Sequence, residues 1–78
     1  MILYAAIWED RHSDTTVHLF SNADKAIEWA RTQCKECDRW GVYEEREIKG
    51  WLFCADYSCE GDGIRVVEVE VDAELKES

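Results

Sequence analysis

Four cysteines are the residues of this 78-residue chain with the most chemistry to offer. Cys34-x2-Cys37 and Cys54-x4-Cys59 form two pairs, a loose version of the two-knuckle spacing that holds zinc between thiolates. The second pair is wider than the usual knuckle. The first falls inside a helical pattern instead of on a glycine-containing turn. A competing reading makes them buried thiols, because Cys34 and Cys37 complete an apolar helical stripe in which free cysteine acts as a small hydrophobe. A thioredoxin-like role would need a thiolate stabilised by a helix N-terminus, and this pair lies in the C-terminal half of its helix. A zinc or redox module on Cys34, Cys37, Cys54 and Cys59 is therefore the alternative, and the expectation is no metal and no cofactor.

Histidine is the other route to catalysis near neutral pH. His12 falls in a polar loop and His18 on the outward side of a strand. A cysteine–histidine pair would need an orienting group and an oxyanion site as well. These residue patterns assemble no such set, so enzyme activity is not expected.

The acids say more. Nine Lys and Arg stand against eighteen Asp and Glu, giving a net charge of −9. This balance argues against direct nucleic-acid binding, which relies on cations neutralising phosphates, and against anionic membranes. Glu68, Glu70 and Asp72 alternate along one predicted strand, about 6.6–6.8 Å apart by strand rise. Glu44, Glu45 and Glu47 crowd a second strand, and Glu9, Asp10 and Asp14 charge the first loop. Such a row of carboxylates suits a Lys/Arg surface built for DNA phosphates. Ordinary solvation is the competing reading, since acids on outer strands also discourage edge-to-edge association. The EGDG segment is too short for an EF-hand calcium loop.

The elements that position these residues follow from periodicity. Residues 2–9 and 15–21 predict two strands around the polar loop EDRHSD. A two-residue period places Leu3, Ala5, Ile7, Val17 and Leu19 on the expected core face. Tyr4, Ala6, Trp8, Thr16, His18 and Phe20 take the other. A helix is predicted over 22–39, with Ser21 as N-cap and Gly41 as a stop, and with a stripe of Ala23, Ala26, Ile27, Ala30, Cys34 and Cys37. Trp29 falls off that stripe. Segments 43–48, 51–58 and 64–72 predict three more strands, the first a polar edge, with turns at Lys49-Gly50 and CEGDG. Centring the second turn sets Trp51, Phe53, Ala55 and Tyr57 inward beside Val67, Val69 and Val71, and sends Cys54, Val66, Glu68 and Glu70 outward.

The expectation is one α+β domain over residues 1–78. It has an antiparallel sheet of four to five strands in the order ββ-α-βββ, one helix on one face, and a frayed polar tail at 73–78. A hydrophobic content of 46% is too high for a disordered acidic tail. A chain this short buries only about 60–65% of its unfolded surface, which leaves little room for an enclosed catalytic cleft. The apolar start is too short and lacks the basic flank of a secretory signal or a span, so the cytoplasm is the expected location, with reduced thiols. Tyr4 and Trp8, beside the acids, are candidate aromatic contacts for a partner. An exposed edge strand or the aromatic face of the first hairpin would support a weak homodimer; otherwise the chain is a monomer.

With ILYAAIWEDRHSDTTVHLFSNADKAIEWA in front and the acidic hairpin WLFCADYSCEGDGIRVVEVEVD behind, nearly the whole chain resembles the small anti-CRISPR proteins of phages and mobile elements. The resemblance points towards inhibitors of type I systems, I-C first among them. The resemblance implies a non-enzymatic inhibitor in the bacterial host cytosol that binds Cascade, the type I surveillance complex, at the basic surface that takes target DNA, partly by DNA mimicry. Some members of that group block nuclease recruitment instead, and the subunit touched is left open. An anti-restriction mimic, directed at another DNA-binding enzyme, is the nearest alternative.

Overall fold

The computed structural model describes residues 1–58 and 61–71. Cys59, Glu60, Asp72 and the polar tail at 73–78 lie outside the described residues. Strands β1 (Ile2–Glu9) and β2 (Thr16–Phe20) precede helix α1 (Ala23–Cys37), and β3 (Glu44–Arg46), β4 (Phe53–Asp56) and β5 (Gly63–Glu70) follow. Together they form a single α+β domain with one five-stranded sheet in the order β2-β1-β5-β4-β3. Every neighbouring pair is antiparallel.

The helix forms where its spacing predicts, two residues shorter at its C-terminal end, and Asn22 caps it in place of Ser21. The Asn22 side chain accepts from the Lys25 N–H at 3.1 Å, meeting one of the donors that a helix start leaves open. Ala26, Ala30 and Cys34 are completely buried. Their small side chains let the helix lie close on Ala6, Ala55, Ile64 and Val66, which are also buried. Bulky rings close the rim, with Phe53 and Tyr57 buried and Tyr4, Trp8, Phe20 and Trp29 partly so. Ile64 and Val66 are each worth roughly 1.5–3 kcal/mol of burial.

The helix therefore covers the face of the first hairpin opposite to the expected one. Leu3, Ile7, Val17 and Leu19 lie on the helix-free side, and Tyr4, Ala6, Trp8, His18 and Phe20 face the helix. Counting aliphatic side chains favours the wrong face, because a helix with a small-residue stripe seats on small residues and needs large rings only at its margin. Trp29 supplies the link. It sits 6.0 Å from Trp8, 5.8 Å from Phe20 and 4.4 Å from His18, centroid to centroid.

The last hairpin differs as well. Phe53, Ala55 and Tyr57 point inward as expected, but Phe53 pairs with Val66 and Ala55 with Ile64. Val67 and Val69 face the helix-free side, paired with Ala5 and Leu3. The cause is Gly63, a strand residue and not part of the turn. A Cβ there would stand 2.1 Å from the Ala55 carbonyl oxygen, so this register demands glycine. Trp51, expected in the core, is 38% exposed, with the Arg65 guanidinium 5.1 Å from its ring centre on the helix-free side. The Lys49-Gly50 turn forms as expected. The Trp51 N–H donates to the Ile48 carbonyl at 3.0 Å, and Gly50 takes the positive φ of 93° that a type II turn requires.

Candidate partner-binding surface

Of the carboxylates singled out by charge pattern, several are committed inside the fold. Asp10 leaves the end of β1 and accepts from the Tyr57 hydroxyl at 2.5 Å and from the His12 N–H at 2.8 Å. These bonds, Tyr57 first, hold its carboxyl below the usual aspartate range. The Tyr57 hydroxyl in turn accepts from Trp8 Nε1 at 2.8 Å. Burial and then the hydrogen bond to Asp10 push the Tyr57 phenol up. Asp62, the buried acid of the last hairpin, accepts from the Arg11 N–H at 2.9 Å and the Ser58 hydroxyl at 3.1 Å. These bonds fasten the β1–β2 loop to the β4–β5 loop.

Glu9 pairs with Arg65. Across β3, Arg46 bridges Glu44 at 3.6 Å and Asp56 at 2.8 Å. Glu45 faces the helix, where Arg31 donates to it at 2.8 Å and the Tyr43 hydroxyl at 2.6 Å. Arg31 chiefly, and Tyr43 after it, lower the Glu45 carboxyl. A cavity of about 290 Å³ on the helix-free side has Cys54, Trp51, Arg46 and Arg65 among its lining. Both of its arginines are engaged by the acids just named.

Glu68 and Glu70 are placed differently. They lie on the helix side of β5, opposite Tyr4 and Ile2 of β1, and not on the outward side expected for them. The pairing of β4 ends at Val66, so beyond that point β5 has β1 alone as a neighbour. Both carboxylates are exposed and have no ion-pair or hydrogen-bond partner among the described residues. Asp14 in the first loop and Glu47 after β3 are also exposed and have no partner among the described residues. Asp72, the third member of the expected row, lies outside the described residues. Tyr4 and Trp8 pack against the core, with only part of each ring at the surface.

The cysteines are held apart. Cys34 is buried under the helix with its thiol 3.7 Å from the Ala55 carbonyl oxygen, and burial pushes it up to about 12. Cys54 is buried on the opposite face of the sheet, and Cys37 is half-buried near the helix end. Burial raises both of those thiols. The sheet thus separates Cys34 from Cys54; the fourth residue of the zinc alternative, Cys59, lies outside the described residues.

Charge pattern alone misses Trp40, which is 74% exposed. Asp38 ends α1 and collects the Val42 N–H at 2.9 Å, the Tyr43 N–H at 3.2 Å and the Trp40 N–H at 3.3 Å. Gly41 completes that turn with a φ of 69°. The indole is therefore presented on a fastened loop, the kind of pre-ordered aromatic that anchors interfaces. The signal was the Asp-x-x-Gly spacing of Asp38 and Gly41 just past the helix.

Among the described residues, no helix is long and apolar enough to cross a membrane. The chain matches no family model, and neither the curated proteins nor the solved structures contain a match to it.

Proposed function

We propose that this protein is a non-enzymatic inhibitor of the anti-CRISPR kind, which presents carboxylates to the basic surface with which a type I Cascade grips target DNA. The observation that carries the reading is the pair Glu68 and Glu70. They are consecutive on one side of β5, exposed, and, among the described residues, free of cations such as those that occupy Glu9, Glu44 and Glu45. A carboxylate already bonded to an internal arginine must give up that bond to engage a partner, whereas a free one exchanges only water. Two free carboxylates at a strand spacing of about 6.6–6.8 Å offer a Lys/Arg groove charge at a repeat of the same order as DNA phosphates. Net charge of −9 steers the encounter towards a basic partner from a distance.

The test is target-DNA binding by purified type I-C Cascade, with and without the protein, at two salt concentrations. Loss of DNA binding that weakens at higher salt supports the reading. Glu68→Lys/Glu70→Lys should then abolish inhibition. Capture by Cascade with DNA binding intact would move the action to a later step such as nuclease recruitment and remove the carboxylate pair from the mechanism. No capture would overturn the Cascade assignment.

A further inference from the structure

The two edges of the sheet are built differently. The β3 edge has three residues, Glu44, Glu45 and Arg46, and short charged edges resist pairing. The β2 edge, Thr16–Phe20, has five residues with no acid, lysine, arginine or proline. It is exposed along Thr16–Leu19, and as an end strand of the sheet it has no strand partner on its outer side among the described residues. Side-chain exposure points the same way. On the helix-free face Ala5 in central β1 is 3% exposed, whereas Val17 and Leu19 on β2 reach 55% and 60%. That apolar face shields itself in the middle and lies open at the β2 edge.

We infer that β2 pairs with β2 of a second copy of this chain, antiparallel, about a two-fold axis through His18. Three arguments select a second copy. A two-fold normal to the sheet requires that opposing residues lie on the same face, so residue numbers across the pair sum to an even value. Of those registers, only the one centred on His18 pairs all five residues, setting Val17 against Leu19 of the second copy, twice, and Thr16 against Phe20. Such cross-strand apolar pairs are the stabilising units of a sheet. Next, a chain carrying −9 self-associates only where its charge is absent, and β2 carries no carboxylate. The free Glu68 and Glu70 lie two strands away on β5. Finally, α1 sits chiefly over β1, β5 and β4, which leaves the edge clear for a neighbouring sheet. A five-residue edge buries little area compared with standard interfaces, so the dimer is weak and concentration-dependent. It uses a surface separate from the carboxylates at the end of β5, and its test is independent of Cascade.

Sedimentation velocity of the full chain over a wide concentration range tests the pairing. The expected result is a reversible shift from monomer towards dimer as concentration rises. Leu19→Lys, which sets a lysine on the edge, should weaken that shift at least tenfold. Hydrogen exchange on the unmodified protein gives a second readout that needs no variant. The outward-facing amides of β2 should be protected at high concentration and exposed at low concentration, while amides elsewhere stay unchanged. Monomer at every concentration would overturn the inference, including the case in which β2 takes up a strand only from a different protein. So would a dimer that survives Leu19→Lys with β2 amides unprotected.

Discussion

The two ends of β5 put acids to opposite uses. At its start, Asp10 and Asp62 are bonded to backbone N–H groups and hydroxyls, and Gly63 threads beneath the Ala55 carbonyl. At its finish, Glu68 and Glu70 stand on a two-stranded ribbon with β1 and bond to nothing else described. The first end spends its carboxylates on holding two loops together. The second leaves them exposed. Acid count cannot separate these roles, but partners can, and substitutions at the two ends should therefore fail in different ways.

The largest effect is expected at Gly63. In Gly63→Ala, the new methyl would meet the Ala55 oxygen at 2.1 Å and Asp56 Oδ1 at 2.8 Å. Backbone cannot give way as a flexible side chain does, so the β4–β5 pair must part. A loss of about 3 kcal/mol or more is expected, read as a fall in the urea midpoint. A variant as stable as the parent would mean that the register of the last hairpin is not the one described.

Tyr57→Phe comes next. It deletes a hydroxyl that bonds both Asp10 and Trp8 Nε1, leaving a carboxylate and an indole N–H one partner short. Loss of about 1–2 kcal/mol is expected, with the fold intact. A smaller companion effect concerns pH. The Asp10 carboxyl is lowered in the folded chain, chiefly by the Tyr57 hydroxyl and then by the His12 N–H. The unfolded chain therefore binds more protons through that range. Stability from this group is full above about pH 4 and drains as pH falls through its lowered value. Asp10→Asn should flatten part of the acid decline in Tm between about pH 5 and pH 2. Glu45, bonded to Arg31, and Asp38 contribute in the same direction, since those carboxyls are lowered too. An unchanged acid limb in Asp10→Asn would unfasten the loop from the argument.

What was legible in sequence follows the range of the interactions. The helix stripe, the five strands and the Lys49-Gly50 turn are local patterns, and all of them form. The covered face of the first hairpin was not legible, because it depends on which surface fits a helix lined by Ala26, Ala30 and Cys34. That choice is made by Ala6 and Ala55 at long range, not by the aliphatic content of β1 and β2. The register of β4 and β5 was hidden for a related reason. Gly61 and Gly63 look alike in a turn-rich string, but only Gly61 turns the chain, with a φ of 92°, while Gly63 admits a carbonyl. The division of acids into committed and free was equally hidden. Arg65 reaches Glu9, Arg46 reaches Asp56 and Arg31 reaches Glu45 across strands and layers, contacts that no spacing rule encodes.

The smallest effect on stability, and the sharpest on the comparison, is expected from Glu68→Lys/Glu70→Lys. Neither carboxylate has a partner to lose among the described residues, and β5 beyond Val66 has an open side. Lysine is also well tolerated on exposed strand edges. Reversal should therefore move the urea midpoint by no more than the equivalent of about 0.5 kcal/mol. The same double variant is expected to lose its hold on a basic partner, because each reversal replaces an attraction with a repulsion in the encounter and in the docked state. Asp10→Asn provides the mirror case, with lower stability in neutral solution and partner binding retained. If the two variants exchanged these outcomes, the end of β5 would be the structural one, and the division of labour between the two ends would be reversed.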